Sequence, residues 1–249
     1  MQQSMKSTGY NSMNVSIGNF ACPRVLLVNR DVGRQQALAQ GLELSGFEID
    51  VMNDSEASVR KALDGDYAIA VLERMMPNLS GLDALCAIRQ KSSLPVVLIT
   101  EDNDEVERIL CLELGADDIV VQPSPRELAA RIRAILRRAT AEAGSSSRSE
   151  TLQAGPLTLW PQKRSAQWEQ DELILTSTEF SLVEILVRSL GQAVSKKSLS
   201  TQALSRPYNR HDRTIDVHIS NIRHKLGLRN NGEEWIQTIR GFGYMWVKE

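Results

Sequence analysis

The chain has 249 residues, 42% of them hydrophobic, and a formal net charge of −2. That is room for two ordinary domains, each able to bury a core. No apolar run approaches the roughly 20 residues needed to span a bilayer, and Met1 to Pro23 is rich in Ser, Asn and Gln without an apolar stretch of the signal-peptide kind. Residues 1–23 read as a disordered tail. Three cysteines, Cys22, Cys86 and Cys111, are an odd number at no ligand-like spacing, and none of the three histidines lies near them in sequence. Buried thiols in a reducing cytoplasm are expected, with no metal and no cofactor. Charge is divided unevenly. Residues 24–138 hold 14 Lys/Arg and 19 Asp/Glu, giving −5, whereas residues 152–249 hold 13 and 10, giving +3. An acidic half joined to a basic half points to nucleic acid as a partner of the second half.

The first half, residues 24–138, alternates strand-like and helix-like text. Val25–Val28 is a continuous apolar run, as expected of a strand covered on both faces. A helix is predicted over Val32–Ser45, closed by Gly46, with Asp31 at its N-cap. A strand follows over Phe47–Met52, then a helix over Ser55–Leu63. Ala68–Leu72 reads as the third strand, ending in an exposed carboxylate at Glu73, and Gly81–Gln90 as a helix. Pro95–Thr100 is the fourth strand, Asp104–Leu114 a helix closed by Gly115, Ile119–Val121 the fifth strand and Pro125–Arg138 the last helix. Five alternations imply a doubly wound α/β domain with a five-stranded parallel sheet and a crevice at the carboxyl ends of its strands. Residues 139–151 are small and polar and read as a linker.

In residues 152–249, three aromatic-bearing or alternating segments, Leu157–Trp160, Ser165–Trp168 and Leu173–Leu175, suggest a small antiparallel sheet. Helices are predicted over Thr178–Ser189, capped by Thr176 or Ser177 with Glu179 near the positive end, over Lys196–Leu204, and over Arg213–Leu226. Two strands joined by Arg240-Gly-Phe-Gly243 end the chain. Three helices and a β-hairpin make a winged helix-turn-helix. In the third helix Ile215, Ile219, Ile222 and Leu226 share one face and form the core stripe. The opposite face carries Arg213, Val217, Ser220, Asn221 and His224, flanked by Arg223 and Lys225. An apolar back, a polar front and lateral cations are what a recognition helix needs. Asn221 can read adenine bidentately and Val217 can meet a thymine methyl. Arg240 stands at the tip of the hairpin, where a wing meets the minor groove or the backbone.

Thr178-Glu-Phe180, Arg213-Thr-Ile-Asp-Val-His-Ile219, Arg223, Lys225-Leu226 and Thr238-Ile-Arg-Gly-Phe-Gly-Tyr244 resemble the effector signature of OmpR/PhoB-type response regulators. Leu112-Glu-Leu-Gly-Ala-Asp-Asp118 and the text from Arg126 to Arg138 resemble the dimerising side of the matching receiver, a flavodoxin/CheY-like fold. The wording is most similar to the CpxR-like subgroup. The resemblance implies transcription control by a cytoplasmic homodimer on tandem or pseudo-symmetric half-sites of double-stranded DNA. It also implies RNA polymerase at the Ser205–Asp212 loop, a possible sensor kinase and no membrane contact. Arg213, Thr214, Val217, Ser220, Asn221, Arg223, Thr238 and Arg240 take the family's DNA-contact positions. The implied dimer face comprises Leu110, Asp117, Asp118, Glu127, Arg131 and Arg138, with the acids meeting a partner's arginines.

The stretch Tyr67 to Gly81 resembles the family's phosphoacceptor region, with Glu73 where the acceptor aspartate stands. The acidic metal-binding pair aligns with Asn29 and Arg30, the hydroxyl with Thr100 and the lysine with Gln122. A cation where Mg²⁺ should bind argues against phosphoryl transfer. The expectation is therefore an atypical receiver that works without phosphorylation. Glu73 is expected either to stand in for an activated state, held by Arg30 or Arg74, or to be a solvated surface charge left by decay. Rival readings are a conventional phosphorelay regulator and an interaction module that no longer binds DNA. No Ser/His/Asp set, phosphate-cradling glycine loop or metal cluster argues for an enzyme.

Overall fold

The structure, a computed structural model, describes residues 22–76, 80–140 and 151–248. Most of the expected N-terminal tail and linker lie outside these residues. In the first domain, strands β1 (Arg24–Val28), β2 (Glu48–Met52), β3 (Ile69–Glu73), β4 (Val96–Thr100) and β5 (Asp118–Val121) pair in parallel in the order β2-β1-β3-β4-β5. Helices α1 (Val32–Glu43), α2 (Ser55–Asp64), α3 (Gly81–Arg89), α4 (Glu105–Glu113) and α5 (Pro125–Thr140) alternate with them. Val25–Val28 and Ile69–Leu72 are wholly buried because helices cover both faces of the sheet. One core packs Leu38, Leu42, Leu128 and Ile132 of α1 and α5 on the sheet. The other packs Ala62, Leu85, Ile88 and Leu112 of α2, α3 and α4. Asp31 caps α1 by accepting from the Arg34 amide at 3.1 Å, as its position before the helix predicts.

The second domain opens with an antiparallel sheet of β6 (Leu152–Ala154), β7 (Leu157–Trp160), β8 (Ser165–Trp168) and β9 (Asp171–Glu172). The strand expected at Leu173–Leu175 is displaced: Asp171 and Glu172 pair with Trp168 and Gln167, and Leu175 turns into the core. Helices α6 (Ser177–Arg188), α7 (Lys196–Ala203) and α8 (Thr214–Leu226) follow. A sheet of β10 (Val194–Ser195), β12 (Gly243–Trp246) and β11 (Ile236–Ile239) closes the fold. Thr176 caps α6 through a reciprocal pair with Glu179. Ile215, Ile219, Ile222 and Leu226 all point into the core around Phe180, Leu186 and Trp246, as their spacing requires.

The two domains meet. Helix α8 lies against α4, and the start of α6 lies against the end of the α4–β5 turn. This contact decides how the functional surface is presented.

Candidate nucleic-acid interface

Helix α8 is positioned from three sides. At its N-terminus the Asp212 carboxylate accepts from the Thr214 amide, and Arg206 holds both Asp212 and the Thr214 hydroxyl. In its first turn Asp216 accepts from Lys196 Nζ of α7 and from the Tyr244 hydroxyl of β12, each at 2.6 Å. In its last turn Arg223 donates to the Ile236 carbonyl and to the Thr238 hydroxyl and pairs with Glu234. The helix and the hairpin are thus one rigid unit. Burial opposes ionisation of Asp216, but the hydrogen bonds from Lys196 and Tyr244 and the Lys196 charge outweigh it and hold its carboxyl below the usual range.

The sign of the pH dependence follows. A carboxyl depressed in the folded state stabilises fully above its unfolded value of about 3.9 and loses that contribution as pH falls through the folded value. Acid unfolding of the second domain, followed by tryptophan fluorescence, should steepen below about pH 4 and flatten in Asp216→Asn.

The expected DNA-contact residues divide into two groups. Arg213, Ser220, His224, Thr238 and Arg240 are exposed on one side of the unit. The others are engaged. Thr214 is buried under Arg206, Arg223 serves the hairpin, and Lys225 pairs with buried Glu179 at 2.6 Å. Arg223 and Lys225 are therefore bracing cations in this arrangement rather than free flanking ones. Val217 is buried in the apolar cluster that contains Cys111, Leu112, Ala116 and Ile119 of the first domain. Asn221 donates to the Leu112 carbonyl at 3.0 Å and the Glu113 carbonyl at 3.3 Å. The Val217 and Asn221 part of the face read in sequence as the base-reading face is covered by α4 and the turn that follows it, whereas Arg213, Ser220 and His224 stay exposed. Sequence periodicity shows which residues share a face, but not which partner covers it.

Two further residues fasten this contact and were not read as doing so. Asp117, expected on a dimer surface, is fully buried. Its carboxylate accepts from Arg89, from the Val96 amide and from the Thr178 amide at the start of α6. Asp118 pairs with Arg131 of its own domain and with Arg206 of the second, both at 3.0 Å. Glu127 likewise pairs with Arg131 within the chain. Leu110 is half exposed on α4. Arg138 lies outside the described side chains.

At the carboxyl ends of β1, β3, β4 and β5 the expected pocket residues Asn29, Arg30, Glu73, Thr100 and Gln122 come together. Glu73 is 3% exposed, so it is neither an exposed carboxylate nor a solvated surface charge. Its Oε2 accepts from the Arg30 amide at 2.9 Å, and the Arg30 guanidinium lies 3.8 Å from Oε1. Arg30 also reaches Glu101. Arg74 is turned away, to Glu107 and Asp102. Asn29 accepts from the Asp31 amide, and the Thr100 hydroxyl engages the backbone of Asp102.

The chain matches the families described as "Response regulator receiver domain" over residues 25–133 and "Transcriptional regulatory protein, C terminal" over residues 170–246. It is 41% identical over 228 residues to the transcriptional regulatory protein CpxR of Escherichia coli strain K12, covering 90% of this chain and 98% of that protein. The CpxR homolog of Haemophilus influenzae is 38% identical over 225 residues, covering 90% and 99%. This chain is a response regulator with a winged-helix output domain. A solved point mutant of RitR superposes with a TM-score of 0.75 at 20% identity over 91% of this chain and all of the other, a likeness of fold.

In this family the receiver pocket implies Mg²⁺, and the residues present do not fit it. A hard dication needs several carboxylate or carbonyl oxygens. Here the buried carboxylate is already bound by the Arg30 amide, Asn29 Oδ1 is taken by Asp31, and a guanidinium stands beside Glu73. Among the described residues no group of three or more His, Cys, Asp or Glu is placed to hold a metal.

Proposed function

We propose that this response regulator controls transcription in the cytoplasm as a DNA-binding dimer whose receiver works without phosphoryl transfer. The reading is carried by α8. One face is fixed in the winged-helix core, and the other presents polar and basic side chains beside Thr238 and Arg240 of the hairpin. Val217 and Asn221 complete a base-reading surface, with the exposed Arg213 and Arg240 on phosphates. Leu110 with Glu127 and Arg131 forms the face for a second copy, and the Ser205–Asp212 loop is the surface offered to RNA polymerase.

Phosphorylation independence rests on the pocket. A buried Glu73 neutralised by Arg30 replaces both acceptor and metal, so charge developing on a phosphoryl group would meet no dication. Incubation with acetyl phosphate and Mg²⁺ is expected to leave the protein unlabelled by mass spectrometry. Stoichiometric labelling at residue 73, or at any other receiver carboxylate, would refute this part. For DNA, roughly four phosphate contacts per bound unit predict an affinity that falls about a hundredfold between about 50 and 200 mM salt. An affinity flat across that range in a gel-retardation titration would count against a nucleic-acid interface.

A further inference from the structure

We propose that the trough between α5, α7 and the loop that follows α7 is a binding site for a nucleotide carrying two or more phosphates. The proposal stands on this geometry alone and does not depend on the DNA-binding reading. Arg137 of α5, Lys197 of α7, and Ser205, Arg206 and Tyr208 of the loop line a cavity of about 760 Å³. A second cavity of about 340 Å³ adjoins it, sharing Arg137 and Ser205 and adding Arg164 and Arg188. Small-molecule sites span about 300–1,000 Å³. Cations from both domains thus line one continuous trough in a chain whose net charge is −2.

The carboxylates beside the trough are already committed. Asp118 and Asp212 pair with Arg206, and Glu184 pairs with Arg188. Arg164 donates to the Ser177 carbonyl and packs over the Phe180 ring. Arg137 and Lys197 are exposed and make no ion pair among the described residues. Two cations on neighbouring elements repel each other, and an anion held between them removes that cost. Phosphate suits this set best. Arginine and lysine are its usual side-chain partners, and the Ser205 hydroxyl can donate to its oxygens. Tyr208, 37% exposed, offers an aromatic ring in the same cavity. A nucleobase stacks on such a ring whatever its identity, whereas an inorganic anion would leave the ring unused. A ligand bridging α5 and this loop gives the chain an input that needs no phosphoryl transfer.

Isothermal titration of the full chain at about 150 mM salt, where weak surface attraction is screened, tests the site with metal-free ADP, pyrophosphate and adenosine as probes. ADP is expected to bind with a Kd below about 1 mM, pyrophosphate about tenfold more weakly and adenosine not at all. The full-length double variant Arg137→Ala, Lys197→Ala removes two exposed side chains. It should keep the melting temperature and weaken ADP binding at least about tenfold. Tyr208→Ala should weaken ADP about tenfold and leave pyrophosphate unchanged. Failure of the wild type to bind either phosphate probe, or equal ADP affinity in wild type and double variant, overturns the site. Equal affinities for ADP and pyrophosphate, untouched by Tyr208→Ala, overturn the nucleotide assignment. If the wild type ignores ADP while the double variant loses retardation of duplex DNA, the two cations serve the DNA backbone and the proposal falls.

Discussion

Replacing Asp117 by alanine is expected to lower the stability of the first domain by about 3–5 kcal/mol, the usual result of removing one partner of a buried ion pair. Asp117 is fully buried and satisfies three donors at once: Arg89, the Val96 amide and the Thr178 amide. Arg89 has its remaining donors on the Gly115 and Leu94 carbonyls, so it cannot turn to solvent without losing them as well. Burial already pulls the Arg89 guanidinium below its ordinary pKa, against the Asp117 and Glu179 charges that favour it. Without Asp117 that guanidinium is a buried charge with only neutral acceptors. The tryptophans separate this effect from damage elsewhere. Trp160, Trp168, Trp235 and Trp246 all lie in the second domain, and the first has none. Thermal unfolding by circular dichroism should show the first-domain transition falling by more than about 10 °C, at several degrees per kcal/mol for a domain of this size. The tryptophan-reported transition should move little. A first-domain shift under about 3 °C would show that Asp117 is not a structural anchor.

The same residue shows what was legible in the sequence. The alternation of apolar runs and capped helices sufficed for the parallel sheet, because a strand buried on both faces carries its own signature in four or five consecutive apolar residues. The core face of α8 was legible for a similar reason: Ile215, Ile219, Ile222 and Leu226 repeat at helical spacing. Asp117 carried no such signal. It is one acid of an Asp-Asp pair, and only the folded turn decides that it points inward while Asp118 points to Arg206. Strands of two residues, Asp171–Glu172 and Val194–Ser195, exist only through register with a partner strand. Local alternation therefore favoured Leu173–Leu175 instead. Glu73 was placed at the end of a buried strand correctly, but its burial depends on the Arg30 backbone and side chain arriving from another strand end. The covered face of α8 was equally out of reach, since a polar helix front reads the same whether water, DNA or another domain lies against it.

The hairpin Arg240-Gly-Phe-Gly243 supplies the second large expected effect, through two glycines that are needed for different reasons. Gly241 has φ 73°, and a Cβ there would meet nothing within 4 Å. Alanine at that position costs backbone strain alone, about 1–2 kcal/mol for a left-handed residue. Gly243 has the opposite problem. A Cβ there would lie 2.0 Å from the Val194 carbonyl oxygen and 2.9 Å from the Lys196 amide nitrogen, both rigid backbone. Val194 and Ser195 pair with Tyr244 and Gly243, and Ser195 caps α7. Relief of the clash must therefore separate β10 from β12 and disturb the cap. It would also loosen Tyr244 and Lys196, the two shortest of the three donors that fix Asp216 in α8. Gly243→Ala should cost at least about 3 kcal/mol, at or above the upper range for overpacking. It should also weaken DNA retardation far more than its distance from the base-reading residues suggests. Gly241→Ala should retain binding with a modest drop in melting temperature. If the two variants melt and bind alike, the hairpin is not held to α7 by the β10–β12 contact, and the wing and the recognition helix are not one rigid unit.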